Sequence, residues 1–184
     1  MHIPEQDIRI TKTHMALVKS LKKLLNEKPF KKITVSNICQ DSMVGRSTFY
    51  LHFEDKYQLL SFCLQIEQEQ LLDSLKEKEP RDFVYSILSS IQDRHRFYEN
   101  VFLSDMNPEI FKMFHSFFHD FLSKILNERE KQGIKLAGPI PLLSAYYSNG
   151  LAGLTFWWLE HGLSYSIDDI AVCLFDLLGE LLPD

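Results

Sequence analysis

The chain is poor in the residues that break or reverse a backbone. It has seven glycines and seven prolines among 184 residues, against fourteen phenylalanines and seven tyrosines. That balance argues against a turn-rich β fold and for long helices packed through aromatic side chains. The three cysteines, Cys39, Cys63 and Cys173, are odd in number, far apart and set in apolar helical patterns. A disulfide framework is thereby excluded, and buried free thiols in a reducing cytoplasm are expected. No segment approaches the roughly eighteen uncharged apolar residues of a membrane span, and the opening MHIPEQDIRITK lacks the apolar run of a signal peptide. There is no repeat period of a solenoid, no glycine-rich phosphate loop and no paired nucleophile and base. His115 and His119 stand four apart beside Asp120, but outside H-E-x-x-H and without a third ligand, so no metal is expected. Neither an enzyme nor a bound cofactor is expected.

What is present is unevenly distributed. The net charge is −5, yet residues 1–60 carry ten basic and six acidic side chains, a balance of +4. The remainder is therefore at −9. A basic module joined to an acidic body is what a local phosphate-binding surface requires, with the body facing away from the polyanion.

Within the basic module the apolar spacing is helical. Met15, Val18, Leu21 and Leu25 make one stripe over about Thr11–Asn26, a helix that must stop near Lys28-Pro29. Phe30 and Ile33 then offer apolar plugs. Thr34 can cap a short helix whose inward face is Val35, Ile38 and Cys39. The pattern breaks at Asp41-Ser42-Met43-Val44-Gly45 and resumes over Arg46 to Phe53, with Phe49 and Phe53 inward. Asp55 and Gln58 have capping-box spacing for a third helix from Lys56.

Two short helices joined by a glycine-containing turn form the helix-turn-helix layout, whose second helix enters a major groove. Side-chain chemistry assigns the roles. Arg46 suits a bidentate contact to a guanine edge, while Ser47 and Thr48 allow close approach and can donate. Tyr50 and His52 suit the backbone, and Lys56 with the first amides of its helix suits a phosphate.

These residues carry a family resemblance. Thr34, Val35, Ile38 and Cys39, then Val44, Gly45, Thr48, Tyr50, His52, Phe53, Lys56, Leu59 and Leu60 resemble the T-V-x-x-I-A, G-V-S, T-x-Y-x-H-F and K-x-x-L-L series of the tetracycline-repressor (TetR/AcrR) class of bacterial regulators. The resemblance is specific over about residues 10–60. Met43 departs where the family often has Gly, Gly45 where it often has Ser, and Glu54 where Pro is frequent. The resemblance implies DNA contacts at Thr34, Arg46, Ser47, Thr48, Tyr50, His52 and Lys56. It also implies an all-α chain: a three-helix head, residues 1–60, sharing a helix with a body, residues 61–184, that binds ligand or partner and dimerises.

In the body, helices are expected over about Lys56–Leu75, Asp82–Arg94, Arg96–Leu103, Asn107–Arg129, Leu142–Glu160 and from Ser166 onward. Gly150 and Gly153 in mid-helix suggest close approach by another helix or room for a ligand. A pocket is expected at Phe114, His115, Phe118, Tyr147 and Trp157. A four-helix dimer interface is expected at Leu151, Leu154, Trp158, Ile170, Leu174 and Leu177, since the last two helices are too apolar for one small body. The expected function is sequence-specific DNA binding by a homodimer on an inverted repeat, as a repressor released by a small effector. The short tail with Trp157–Gly162 resembles a branch including dihydroxyacetone-operon regulators, which implies the alternative of an activator whose body binds a partner protein.

Overall fold

The computed structural model describes residues 5–74, 80–103 and 108–178, all of it helix, turn or loop. The elements are α1 (Glu5–Glu27), a 3-10 turn (Phe30–Lys32), α2 (Val35–Ser42), α3 (Arg46–His52), α4 (Lys56–Ser74), α5 (Pro80–Asp93), α6 (His95–Phe102), α7 (Pro108–Lys131), α8 (Ile140–Glu160) and α9 (Ile167–Leu178). The backbone forms two compact units, one of Met1–Gln70 with Arg96–Asp105 and one of Leu71–His95 with Met106–Asp184. Among the described residues no helix is long and apolar enough to cross a membrane.

The first unit, the head, is built on α1. Its buried face is Leu17, Val18, Leu21, Leu24 and Leu25, whereas Met15 is 47% exposed, one position off the stripe expected for it. Phe30 and Ile33 are buried as plugs between α1 and α2, Ile38 and Phe49 complete the core from α2 and α3, and Leu59, Leu60 and Cys63 from α4. Each short helix is held by its ends, because a helix of seven or eight residues has few internal bonds and many orphan termini. Thr34 Oγ1 accepts from Asn37 N at 3.1 Å while Asn37 Oδ1 accepts from Thr34 N at 3.2 Å, a reciprocal capping box. The turn closes through Met43 in the left-handed region, φ 57°, where a side chain costs about 1–2 kcal/mol. Helix α6 belongs to the head as well: Phe97, Val101 and Phe102 are buried, and Asn100 Nδ2 donates to the Leu25 carbonyl at 2.7 Å.

In the second unit, the body, α7 packs along α8 and α5 along α9. The α8 face against α7 carries Ser144, Ser148, Ala152 and Thr155, all buried, so the two helices approach through small side chains. Their hydroxyls are satisfied locally: Ser123 Oγ donates to Ser144 Oγ at 2.8 Å, and Ser148 Oγ donates to the Ala145 carbonyl at 3.2 Å. Trp158 is fully buried and its Nε1–H donates to the Tyr165 carbonyl at 2.9 Å, tying the end of α8 to the loop before α9. Ser166 and Asp169 cap α9, with Ser166 Oγ 2.6 Å from Asp169 Oδ2 and the Asp169 amide on Ser166 Oγ at 3.1 Å. Those hydrogen bonds from Ser166 hold the Asp169 carboxyl below its ordinary pKa.

Candidate nucleic-acid interface

Helix α3 turns Phe49 inward, fully buried, and leaves Arg46, Ser47, Tyr50 and Leu51 exposed, with Thr48 and His52 half-buried. At about 100° per residue, Ser47 and Leu51 each lie two residues from Phe49 and so point away from the core. Arg46 and Tyr50 flank them on one side, Thr48 and His52 on the other. The outward face therefore carries a guanidinium, two hydroxyls and, in Leu51, an apolar group 79% exposed that was not anticipated. The signal was available: two positions after an inward aromatic in a helix is its opposite face.

Three of the expected contacts are held in the head by specific partners. Arg46 Nη2 donates to Ser36 Oγ on α2 at 2.6 Å, which locks the two helices together and uses one of five guanidinium donors. Tyr50 lays its ring edge-on to Phe49, centroids 5.4 Å apart, with 58% of the residue exposed. His52 meets His14 of α1 edge-to-face, centroids 4.9 Å apart. His14 is packed further on Phe53 and Phe62, and its Nε2 is buried without a hydrogen-bond partner. Burial, and secondarily the nearby His52, lowers the His14 pKa from 6.5. A largely neutral imidazole thus supports the end of α3.

Lys56 is half-buried and faces the 3-10 turn. Its ammonium donates to the carbonyls of Phe30 and Ile33, both at 2.9 Å, and of Lys31 at 3.4 Å, and it lies 4.4 Å from the centroid of the Phe30 ring. Its three donors meet the carbonyls around the 3-10 turn, so it bolts that turn to α4. Asp55 Oδ1 takes the amides of Tyr57 and Gln58, both at 2.8 Å, and Gln58 reaches back to the amide of Glu54, one residue before the box expected. The exposed cations beside this turn are instead Lys31 and Lys32. Thr34 is exposed, its oxygen already accepting in the cap, which leaves its hydroxyl proton to donate.

The body residues singled out in the sequence differ in burial. Phe118 is buried and Tyr147 half-buried, and His115 Nε2 lies 3.1 Å from Ser148 Oγ. Trp157 does not line an interior: it is 40% exposed and stacked on His161, centroids 4.2 Å apart. Of the expected interface, Leu151, Trp158, Ile170 and Leu174 are already buried within the single chain and Leu154 is half-buried. They are core because α8 and α9 each turn these residues toward the other body helices. The side chains of Phe114 and Leu177 lie outside the described residues. What α8 leaves exposed is another stripe: Leu142, Tyr146, Gly150, Gly153 and Trp157. Among the described residues a Cβ added at Gly150 or Gly153 meets nothing within 4 Å. Cys39 and Cys63 are buried as expected, but Cys173 is exposed on α9.

Comparison with known proteins agrees with this geometry. The model of bacterial regulatory proteins of the tetR family matches residues 17–61, and that of a transcriptional regulator C-terminal region matches residues 78–180. The HTH-type dhaKLM operon transcriptional activator DhaS of Lactococcus lactis subsp. lactis is 25% identical over 121 residues, 65% of this chain and 64% of that protein. The HTH-type transcriptional regulator YxbF of Bacillus subtilis is 27% identical over 178 residues, 90% of this chain and 44% of that protein. The chain thus spans less than two thirds of the length of either relative. A TetR transcriptional regulator from Streptococcus agalactiae superposes with a TM-score of 0.72 at 24% identity, covering 94% of this chain and 97% of that one, a likeness of fold. The chain belongs to the tetR family of bacterial regulatory proteins.

Proposed function

We propose that the chain acts as a homodimer on an inverted-repeat operator, reading each half-site with the outward face of α3 and leaving the operator when a small effector occupies the body. The observation that carries this reading is the free polar face opposite Phe49, with Arg46 and Ser47 at its start and Lys31 and Lys32 exposed on the same unit. Arg46 keeps donors beyond the one given to Ser36, enough for a guanine edge. Thr34, Tyr50 and His52 serve as backbone contacts and Thr48 packs beside them, whereas Lys56 acts by holding the turn that presents them.

Dimerisation, on this reading, uses the exposed stripe of α8 with Val172 of α9, not the buried set. Two-fold packing gives the open glycines a purpose, since a partner helix can come close over them. The effector is taken to lie against α7 and α8, where His115 and Ser148 form a polar pair beside the buried Phe118. A ligand favouring a body conformation in which the heads are wrongly spaced lowers operator affinity. A second reading has one specific support, the activator role in the name of the Lactococcus lactis relative: the body binds a partner protein and DNA binding activates.

Selection of bound duplexes from a random pool tests the core of this reading. Inverted repeats should be enriched, and Arg46→Ala should relax one base position per half-site by about 1–3 kcal/mol. Recovery of no preferred sequence contradicts it. Transcription from a selected site, with and without the chain, separates repressor from activator.

A further inference from the structure

Leu51 is the residue on α3 for which the head itself offers no use. It is 79% exposed, it lies two positions from the fully buried Phe49, and it therefore stands at the crest of the recognition helix together with Ser47, one turn before it. Single exposed leucines are ordinary on protein surfaces. This one is not placed like an ordinary one: the crest of a seven-residue helix is its deepest point in a groove, and Arg46, Ser47 and Tyr50 beside it are all exposed with hydrogen-bonding groups at their tips. A branched aliphatic side chain has no hydrogen bond to give a base edge. It can distinguish bases only by meeting an apolar group, and the major groove displays one, the 5-methyl of a pyrimidine.

We propose that Leu51 is a specificity-determining residue that packs on the 5-methyl group of one thymine in each operator half-site. The inference rests on α3 lying in the major groove, as in the function proposed above. The cations Lys31 and Lys32 and the guanidinium of Arg46 supply the phosphate and guanine attraction that brings the crest to the base edges, so the occupant favoured for Leu51 is DNA and not another apolar surface.

The test uses the full-length chain and a duplex taken from the random-pool selection. Each thymine in one half-site is replaced singly by deoxyuridine, which removes the methyl and leaves pairing intact, and binding is measured for the wild type and for Leu51→Ala. One position should cost the wild type roughly three- to tenfold in affinity, the worth of about one buried methyl, and cost Leu51→Ala nothing. Placing 5-methylcytosine paired with guanine at that position distinguishes the methyl from the rest of thymine: the part of affinity that depends on Leu51 should be retained. Leu51 is exposed, so Leu51→Ala should keep the wild-type melting temperature, and the comparison does not depend on a damaged fold. The proposal is overturned if no deoxyuridine position weakens the wild type, or if the same position weakens Leu51→Ala equally. In either case the chain would still bind its selected site, so the regulator reading survives. A chain that selects no DNA at all overturns both.

Discussion

The head and the body hold their helices by different means. In the head, polar side chains fasten helix ends: the Thr34–Asn37 box, Asp55 on two amides, the Lys56 ammonium on three carbonyls and Asn100 on the last turn of α1. In the body, helices of 24 and 21 residues, α7 and α8, lie along each other through small buried side chains, and the polar groups they bury are answered by near neighbours. Short helices that must present a precise face need their ends fixed, since their own ladders are too brief to hold them. Long helices can rely on burial along their length.

The largest test of that contrast is Trp158→Ala. As a fully buried body residue it should cost about 3–5 kcal/mol in chemical denaturation. Tyr146→Asp, on the exposed stripe 72% open, should leave stability within about 0.5 kcal/mol while halving the sedimenting mass. The reverse pattern would return the interface to the buried set. Next is Lys56→Met, which keeps the stem and removes the bolt. Loss of its charge-assisted hydrogen bonds should destabilise the head by about 2 kcal/mol. Unchanged stability with a shallower salt dependence of DNA binding would make Lys56 a phosphate contact instead.

Smaller effects are expected where only the backbone or one proton is at stake. Met43→Gly should stabilise the head by about 0.5 kcal/mol, because glycine takes the left-handed turn without strain but loses more chain entropy. A destabilised variant would mean that the 93% exposed methionine side chain makes contacts worth more than its strain. The least effect concerns His14. Its pKa is lowered in the fold, so the unfolded chain binds the extra proton first, and stability should fall as pH drops below 6.5, levelling off below the folded value. His14→Phe should flatten that part of the profile. An identical slope in the variant would assign it to other groups.

Much of this was legible in the residues. The head could be read because its signals are local: the Pro29 stop, the cap at Thr34, the break before Arg46 and the inward Phe49 each act within a few positions. The partners of Lys56 were not legible, since they are carbonyls more than twenty residues away and only tertiary structure brings them to it. The body's helices were also recognisable, but not their faces. Helix α8 is apolar around nearly its whole circumference, with Leu142, Tyr146 and Trp157 outside and Leu151, Trp158 and Leu159 inside, so periodicity does not say which side is the core. Gly150 and Gly153 suggest close approach by another helix or room for a ligand, and a Cβ at either meets nothing within 4 Å among the described residues.

The central claim is that the outward face of α3 meets the DNA. It is tested most directly by titrating a selected duplex with the wild type, with Ser47→Glu at the crest of that face, and with Gln132→Glu in the exposed turn just after α7 as a charge-matched control. The account expects Ser47→Glu to weaken binding by at least about tenfold, through a carboxylate set against the groove, and Gln132→Glu to leave it near the wild type. Equal affinities for all three proteins would contradict it.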